Sequence, residues 1–347
     1  MKRHLLFLAA LLIVNLAAYA QKKFSVYAVG FYNQENLFDT CHDEGKKDYE
    51  YLPNKGWNGM KYTNKLRNMS KALADMGTDV LPNVGCAFIG LSEVENHKVL
   101  DSLVDQAPLK ARNMKYVHIE GPDRRGIDCA LLYNPSLFSV KNVKLLPYVQ
   151  ELAKDSAFFT RGFLTVRGEM AGDDVAVIVC HWPSRFSGPF YRESAARQVK
   201  VIKDSLLNVN QEMKIFVMGD MNDDPVNKSM HVYLQAKPEI SQVGAGDMYN
   251  PWYNVLAKEG KGTLFYSGNW NLFDQIVITP NLLNKDAKKK DYSSLKYWKS
   301  HIFRRDYLIQ QEGQYKGAPL RTTAGGRWLN GYSDHLPVVM YLVKEKK

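Results

Sequence analysis

Asp220 and Asn222 lie two residues apart in the stretch Val217-Met218-Gly219-Asp220-Met221-Asn222-Asp223-Asp224-Pro225. In extended chain, residues two apart project to the same side. A carboxylate and an amide presented together can hold a metal ion or a water beside a phosphate. Taken alone, the stretch reads equally well as a polar turn closing a strand. The apolar run Lys214 to Met218 before it reads as a buried strand, and Pro225 forbids that strand from continuing.

The same pattern recurs along the chain. Asn33 and Glu35 follow the β-rich run Phe24 to Phe31. Glu93 follows Cys86 to Leu91, and His181 follows Val175 to Cys180. Asp334 and His335 come just before the run Leu336 to Val343, and Asp274 lies early in Leu272 to Ile278. One such cluster is a turn. Six of them at strand termini would converge on one edge of a sheet sandwich. Carboxylates and amides are hard oxygen ligands suited to Mg²⁺, Mn²⁺ or Ca²⁺. Two histidines and nearby arginines complete a set able to attack a phosphate ester, with the metal neutralising charge in the transition state.

Positioning these groups requires about ten strands and three or four helices. Helical spacing of apolar residues is present in Tyr62 to Met76, Val99 to Leu109 and Ser194 to Leu207. Further strands are expected at Tyr116 to Glu120, Ile127 to Tyr133, Phe138 to Leu146 and Phe158 to Met170. Residues 226–262 read as loop and short helix, and residues 281–330 as irregular and basic. Strands do not alternate strictly with helices, so a doubly wound parallel sheet fits poorly. The expectation is an α+β fold of two mostly antiparallel sheets packed together, with helices outside. No linker divides the chain, so residues 21–347 are expected to form a single catalytic domain.

The N-terminus has a short basic region at Lys2-Arg3-His4, an apolar run from Leu5 to Leu16 and a small-x-small site at Ala18-Tyr19-Ala20. Residues 1–20 therefore read as a secretory signal peptide, with periplasmic or secreted destination. A retained anchor is the alternative, although the run is short for a span, and no stable membrane span is expected in the mature chain. Cleavage takes Lys2 and Arg3 from a net charge of +10 and leaves +8. That balance favours anionic partners such as nucleic acid, phosphorylated small molecules or an anionic membrane surface. The lysine-rich tail and Lys288-Lys289-Lys290 account for much of the excess as solvated charge. Cys41, Cys86, Cys129 and Cys180 show no CxxC spacing, which argues against a zinc site. Export permits a disulfide, but Cys129 and Cys180 sit in apolar runs typical of core cysteines.

The residues that carry the chemistry resemble the endonuclease/exonuclease/phosphatase superfamily, which includes deoxyribonuclease I, exonuclease III, sphingomyelinases and inositol-polyphosphate phosphatases. The matching stretches are Tyr32 to Leu37, Leu91 to Val94, Cys180-His181, Gly219 to Asp223, Phe273 to Ile276 and Tyr332 to Val338. They occur in the family's order and span residue 24 to the C-terminus. The resemblance implies a four-layered α/β/β/α sandwich with the site at one strand edge. It implies Glu93 as principal metal ligand, with Asn33 beside the metal and Asp334 completing its environment. Asp220 and Asn222 would orient or activate the attacking water, and His181 would donate to the scissile phosphate. His335 would take part in proton transfer, buttressed by Asp274. Glu35 stands where relatives often carry Asp, which leaves open whether it or Asn36 serves as a further ligand.

Arg185, just beyond His181, suits bidentate phosphate binding, and Arg125 and Arg161 are the other expected substrate contacts. Arg192 and Arg197 carry a weaker claim. Trp182, Trp252, Trp270 and Trp328 are candidates for stacking or for plain packing. The function expected is an exported divalent-metal-dependent phosphoester hydrolase, with a phosphodiesterase or endonuclease on nucleic acid as the leading reading. A phosphatase or phospholipase on an inositol phosphate, sugar phosphate or sphingolipid head group is the alternative. A non-catalytic binding protein stands third.

Overall fold

The computed structural model describes residues 23–151, 158–286 and 288–346. The expected signal peptide lies outside them. In chain order the strands are β1 (Phe24–Leu37), β2 (Phe88–Val94), β3 (Lys115–His118), β4 (Asp128–Tyr133), β5 (Phe138–Leu146) and β6 (Phe163–Met170). They continue with β7 (Asp173–His181), β8 (Lys214–Asp220), β9 (Ala236–Lys237), β10 (Met248–Tyr249), β11 (Leu264–Tyr266) and β12 (Asn269–Asn271). The last are β13 (Asp274–Ile278), β14 (Lys296–Ile302), β15 (Thr323–Ala324), β16 (Arg327–Trp328) and β17 (Val338–Glu345). The first sheet runs β14-β17-β1-β2-β4-β3 and the second β5-β6-β7-β8-β13-β10-β9, while β11-β12 and β15-β16 are separate hairpins. Most pairs are antiparallel. The parallel exceptions include β1 with β2 and β7 with β8, at the centres of the two sheets.

Helix α1 (Gly59–Asp75) starts three residues before the expected point because the Asn58 side chain accepts from Lys61 N and caps it. Gly77, at φ +82°, supplies the left-handed residue beyond its end. The single helix expected at Val99 to Leu109 is instead α2 (His97–Val104) followed by α3 (Ala107–Ala111). Pro108 is the reason. It lacks an N–H and fits only in a first turn, so it restarts the helix rather than continuing it. Helix α4 (Pro189–Val209) begins on a proline for the same reason, and α5 (Tyr253–Ala257) is a short piece.

Alternation along each strand sorts side chains into layers. Val29, Phe31, Phe88 and Met340 from the first sheet face Val177, Phe216, Met218 and Ile276 from the second in the central core. The opposite face of the first sheet, with Ile89, Leu91 and Val339, packs on Leu66, Met69 and Leu73 of α1 and Val99 and Leu103 of α2. The outer face of the second sheet, with Ile178, Ile215 and Val217, packs on Ala195, Ala196 and Val199 of α4. The result is the four-layered α/β/β/α sandwich that the family resemblance implies.

Two expectations are corrected. β1 does not stop at Phe31 but runs on to Leu37 through a register shift between Asn33 and Leu37. The bulge keeps the polar segment in the sheet. Residues 281–330 are not wholly irregular: β14 forms the edge of the first sheet, and its polar residues Lys299, Ser300 and His301 are what an exposed edge tolerates. The four cysteines are all free, three of them buried, so the disulfide that export would permit is not formed.

Gly219 shows how tightly the second sheet is built. A Cβ there would collide with the Cys180 carbonyl. Backbone cannot move aside as a flexible side-chain tip can, and overpacking a core costs about 1–3 kcal/mol. Gly219→Ala is therefore expected to lower unfolding stability by about 1–3 kcal/mol, read as a fall in the urea midpoint at unchanged slope.

Candidate active site

Strand register brings the site together. On β8, Asp220 is the register partner of His181 on β7 and of Asp274 on β13, so three chemistry-bearing residues stand side by side in one row. In the first sheet, Asn33 on β1 pairs with Ser92 on β2, which places Asn33 beside Glu93. The loop entering β17 carries Asp334 and His335 across to the same edge. There Leu264 and His335 form an isolated antiparallel bridge.

The buried Asp220 carboxylate is the hub. Asn33 Nδ2 donates to its Oδ2 at 3.0 Å, and Asn222 N donates to its Oδ1 at 2.9 Å. His181 Nε2 and His335 Nε2 stand 3.7 Å and 3.9 Å from Oδ2. Burial pushes the Asp220 carboxyl up to about 7 against the pull of His335. His335 itself is buried, which alone would lower its pKa. Asp274, Asp334 and Asp220 outweigh burial and hold the imidazolium well above the usual histidine range. Asp274 Oδ2 accepts from His335 Nδ1 at 2.7 Å and so fixes the ring. His181 goes the other way: burial, with Arg161, Arg125 and His335 nearby, keeps it well below its ordinary value, hence neutral. Two histidines with opposite protonation thus face one carboxylate.

Glu93 Oε2 accepts from Asn36 N at 2.9 Å, while Oε1 looks toward His181 Nε2 at 3.9 Å. Asp334 Oδ2 accepts from Arg321 at 2.9 Å, and its Oδ1 lies 3.8 Å from His335 Nε2. Asp220, Asp274 and His335 bring ligand atoms within 4.8 Å of one another, a grouping found once among the described residues. Within that trio, however, His335 Nδ1 is already bonded to Asp274, so the raised imidazolium offers that nitrogen to the carboxylate and not to a cation. The oxygen donors Glu93, Asp334 and Asn33 fit a hard divalent cation better, and the crowded carboxylates are an environment such a cation would relieve. Glu35 sits one layer deeper. Thr322 N donates to its Oε2 at 2.6 Å and Arg321 Nε reaches its Oε1 at 3.4 Å. Burial and Asp334 push its carboxyl up to about 7.

The arginines separate into two groups. Arg125 is 48% exposed, donates to Asn36 Oδ1 and lies 3.8 Å from Glu93, so it faces the open edge. Arg161 is mostly covered beside His181, holding Asp123 at 3.0 Å and the Trp182 carbonyl at 3.0 Å. Arg185 packs over the Phe273 ring and binds Asp224, Asn227, Asn271 and the Asn222 carbonyl, which ties it to the loop carrying Asn222. Arg192 is buried against Asp223 at 2.8 Å, and Arg197 pairs with Glu151 at 2.7 Å. Trp182 and Trp252 are core residues, whereas Trp270 and Trp328 are only partly covered.

Two features escaped sequence reasoning. Glu35, Asn36, Glu93 and Asn222 all adopt positive φ, between 46° and 59°. Such backbone is uncommon for non-glycine residues and costs of order 1–3 kcal/mol each. It aims these side chains where a regular strand would not, and no composition signal marks it. The second feature is Lys65. It is fully buried on α1, and its ammonium donates to Thr322 Oγ1 at 2.6 Å and to the Tyr332 carbonyl at 2.5 Å. It thereby clamps the two segments that bracket Arg321 and Asp334. A lysine one residue from Leu66 and four before Met69, on the apolar face of a predicted helix, was the available signal.

Losing Asp274 should strip His335 of its main support. Asp274→Asn is expected to reduce phosphoester turnover by about 10²–10⁴-fold. The alkaline limb of its rate profile should move to lower pH, because the imidazolium then gives up its proton earlier. Stability should depend on pH in a definite direction. Glu35 and Asp220 are raised to about 7, Glu95 by burial to about 8, and His335 is raised as well. Between pH 6.5 and 8 the folded state therefore binds more protons than the unfolded chain, and stability falls as pH rises. Urea titrations with EDTA should show a lower midpoint at pH 8 than at pH 6.5, and Mg²⁺ should recover part of the loss.

No curated protein matches the sequence. Among solved structures, an endonuclease/exonuclease/phosphatase family protein from Bacteroides thetaiotaomicron is similar at 14% identity and TM-score 0.55, covering 94% of this chain and 97% of that one. The mannosyl-6-phosphatase of the same organism aligns at 14% identity and TM-score 0.54, covering 91% and 99%. D. rerio TDP2 complexed with a single-strand DNA product aligns at 11% identity and TM-score 0.52, covering 92% and 99%. At these identities the likeness concerns the fold. The sequence itself matches the endonuclease/exonuclease/phosphatase family over residues 28–344, so the chain belongs to that family and is a divalent-metal-dependent phosphoester hydrolase.

Proposed function

We propose that the protein is an exported phosphodiesterase that cuts nucleic acid, with residues 21–347 as one catalytic domain and a periplasmic or secreted location. The observation that carries the substrate reading is the setting of the site. The carboxylate–histidine row opens at a sheet edge between the exposed Arg125 and the partly exposed Arg321, on a mature chain of net charge +8. A polyanion passing over the edge meets positive charge on both sides. The similarity to D. rerio TDP2, a protein solved with a single-strand DNA product bound, supports the same class of substrate. Among the described residues no helix is long and apolar enough to cross a membrane.

The side chains divide the chemistry. Asp220, with a pKa near neutrality and both oxygens oriented by Asn33 and Asn222, takes the proton of the attacking water. Asn222 is itself held by its Nδ2 bond to the Trp182 carbonyl at 2.9 Å. Neutral His181 donates to a non-bridging phosphate oxygen. His335, kept protonated by Asp274, supplies the proton or hydrogen bond that charge on the phosphate and leaving oxygen requires. Glu93, Asp334 and Asn33 would hold the divalent ion, which when bound polarises the phosphoryl oxygen. Arg125 and Arg321 neutralise the flanking phosphates.

The alternative keeps this machinery for a small phosphomonoester or a lipid head group, and the similarity to a mannosyl-6-phosphatase favours it. One experiment separates the two. The chain from Gln21 is incubated with supercoiled plasmid and, in parallel, with a panel of phosphomonoesters, in Mg²⁺ or Mn²⁺ and then in EDTA. Plasmid nicking that EDTA abolishes, and that Glu93→Ala lowers by at least ~10²-fold as removal of a metal ligand should, is the expected result. Intact plasmid with metal-dependent phosphate release would overturn the nuclease reading.

A further inference from the structure

Two hairpins outside the main sheets stand beside Asp334. The β11–β12 hairpin is fastened to the site by Leu336 N, which donates to the Thr263 carbonyl at 2.8 Å, and by the Leu264–His335 bridge. The β15–β16 hairpin is fastened through the neighbouring Thr322, whose N–H binds Glu35. Tyr266 to Gly268 of the first hairpin and Thr323 to Gly325 of the second line one depression of about 800 Å³ together with Arg321 and Asp334. A second depression, of about 570 Å³, shares Phe265, Gln314, Tyr315 and Ala318 with the first and runs on to Trp270 and Arg304. The two together form one groove that begins at the site and leads away from it.

The lining has a particular chemistry. Tyr266 and Tyr315 are 64% and 52% exposed, far more than core packing requires. Phe265 and Trp270 pack with centroids 5.3 Å apart, and the Arg304 guanidinium lies 5.9 Å from the Trp270 ring. Lys316 and Arg321 add cations along the walls. A single phosphate group needs only the site itself. A row of ring faces interleaved with cations suits a chain in which flat bases alternate with phosphates, and stacking on aromatic side chains is tolerant of sequence. Bases inside a duplex already stack on one another and offer no free face to these rings.

We propose that this groove is a binding track for several unpaired nucleotides on one side of the scissile phosphate. The proposal rests on the nuclease reading and assigns the 264–271 and 310–325 segments as the part of the chain that holds the strand. A strand lying in it passes between the two hairpin tips and places its next phosphate beside Asp334 and His335.

The test compares wild type with the Tyr266→Ala/Tyr315→Ala double variant. The substrates are a dinucleotide, a single-stranded dodecanucleotide and a fully paired duplex of the same sequence, each made as DNA and as RNA. Wild type is also assayed on bis(p-nitrophenyl) phosphate. In wild type, KM should fall steeply from dinucleotide to dodecanucleotide. In the variant, KM for the dodecanucleotide should rise by roughly 10–100-fold, the loss of one or two stacked bases, so that the length preference collapses. Because both tyrosines are exposed, the variant's thermal melting curve should superimpose on that of wild type. An unchanged length preference in a folded variant, or equal KM for the paired duplex and the single strand, overturns the track while leaving the nuclease reading intact. Wild-type turnover of bis(p-nitrophenyl) phosphate with no cleavage of any oligonucleotide overturns the nuclease reading and the track with it.

Discussion

A carboxylate buried in a strand must be compensated on every side, and Asp220 imposes that requirement on the whole molecule. An isolated ion there would carry a desolvation cost of several kcal/mol. The compensation arrives from separate parts of the chain: Asn33 from β1, Asn222 from the following turn and His335 from the loop before β17. His335 in turn needs Asp274, which comes from β13. Two sheets must therefore be stacked, with their strands in one register, before the charge is tolerable. The fold and the site are consequences of the same balance, and that is why the polar residues sit at strand ends, where apolar packing stops.

Around this hub lies a scaffold of cations largely withdrawn from solvent. Lys65 fastens Thr322 and Tyr332, and Arg192 fastens Asp223. Arg161 holds Asp123 together with the Trp182 carbonyl, which also receives Asn222. Burial lowers the Lys65 ammonium to about 8, with Glu35 and Asp334 pulling it back up. Two of the four left-handed residues of the site are tied into this scaffold, Glu35 through Thr322 and Asn222 through the Trp182 carbonyl. The strain is sustained because the surrounding bonds over-determine it, as preorganised sites require.

The layered fold and the membership of the polar row are legible because both leave marks in local sequence. An apolar run that ends abruptly in Asp, Asn, Glu or His announces a strand terminus and its functional group together. Asp220, Asn222, Glu93 and His181 were read that way, and the structure gathers them. The register that aligns Asp220 with both His181 and Asp274 was not legible, since pairing depends on partners far away in sequence. Lys65 hid in a helix where lysine is ordinary. β14 hid because an edge strand with polar, charged residues has the composition of a loop. Arg185 was read as a phosphate ligand from its closeness to His181 in sequence, yet it folds back over Phe273 and bonds to Asp224. Proximity along the chain said nothing of which way the guanidinium would turn.

The pairing of β1 with β17 runs in unbroken register from Phe24↔Glu345 to Phe31↔Val338. The first strand of the sandwich therefore waits for one of its two neighbours until β17 has been made. Strand β17 fills the place between β1 and the edge, and the segment just before it delivers Asp334 and His335. A ribosome-bound chain cannot close the first sheet or bring His335 to Asp274 until β17 has emerged. The cluster around Asp220 is thus completed only when β17 is in place. Long-range closure of this kind makes for slow folding, and a chain cut before Asp334 would lack both this pairing and the bond between His335 and Asp274.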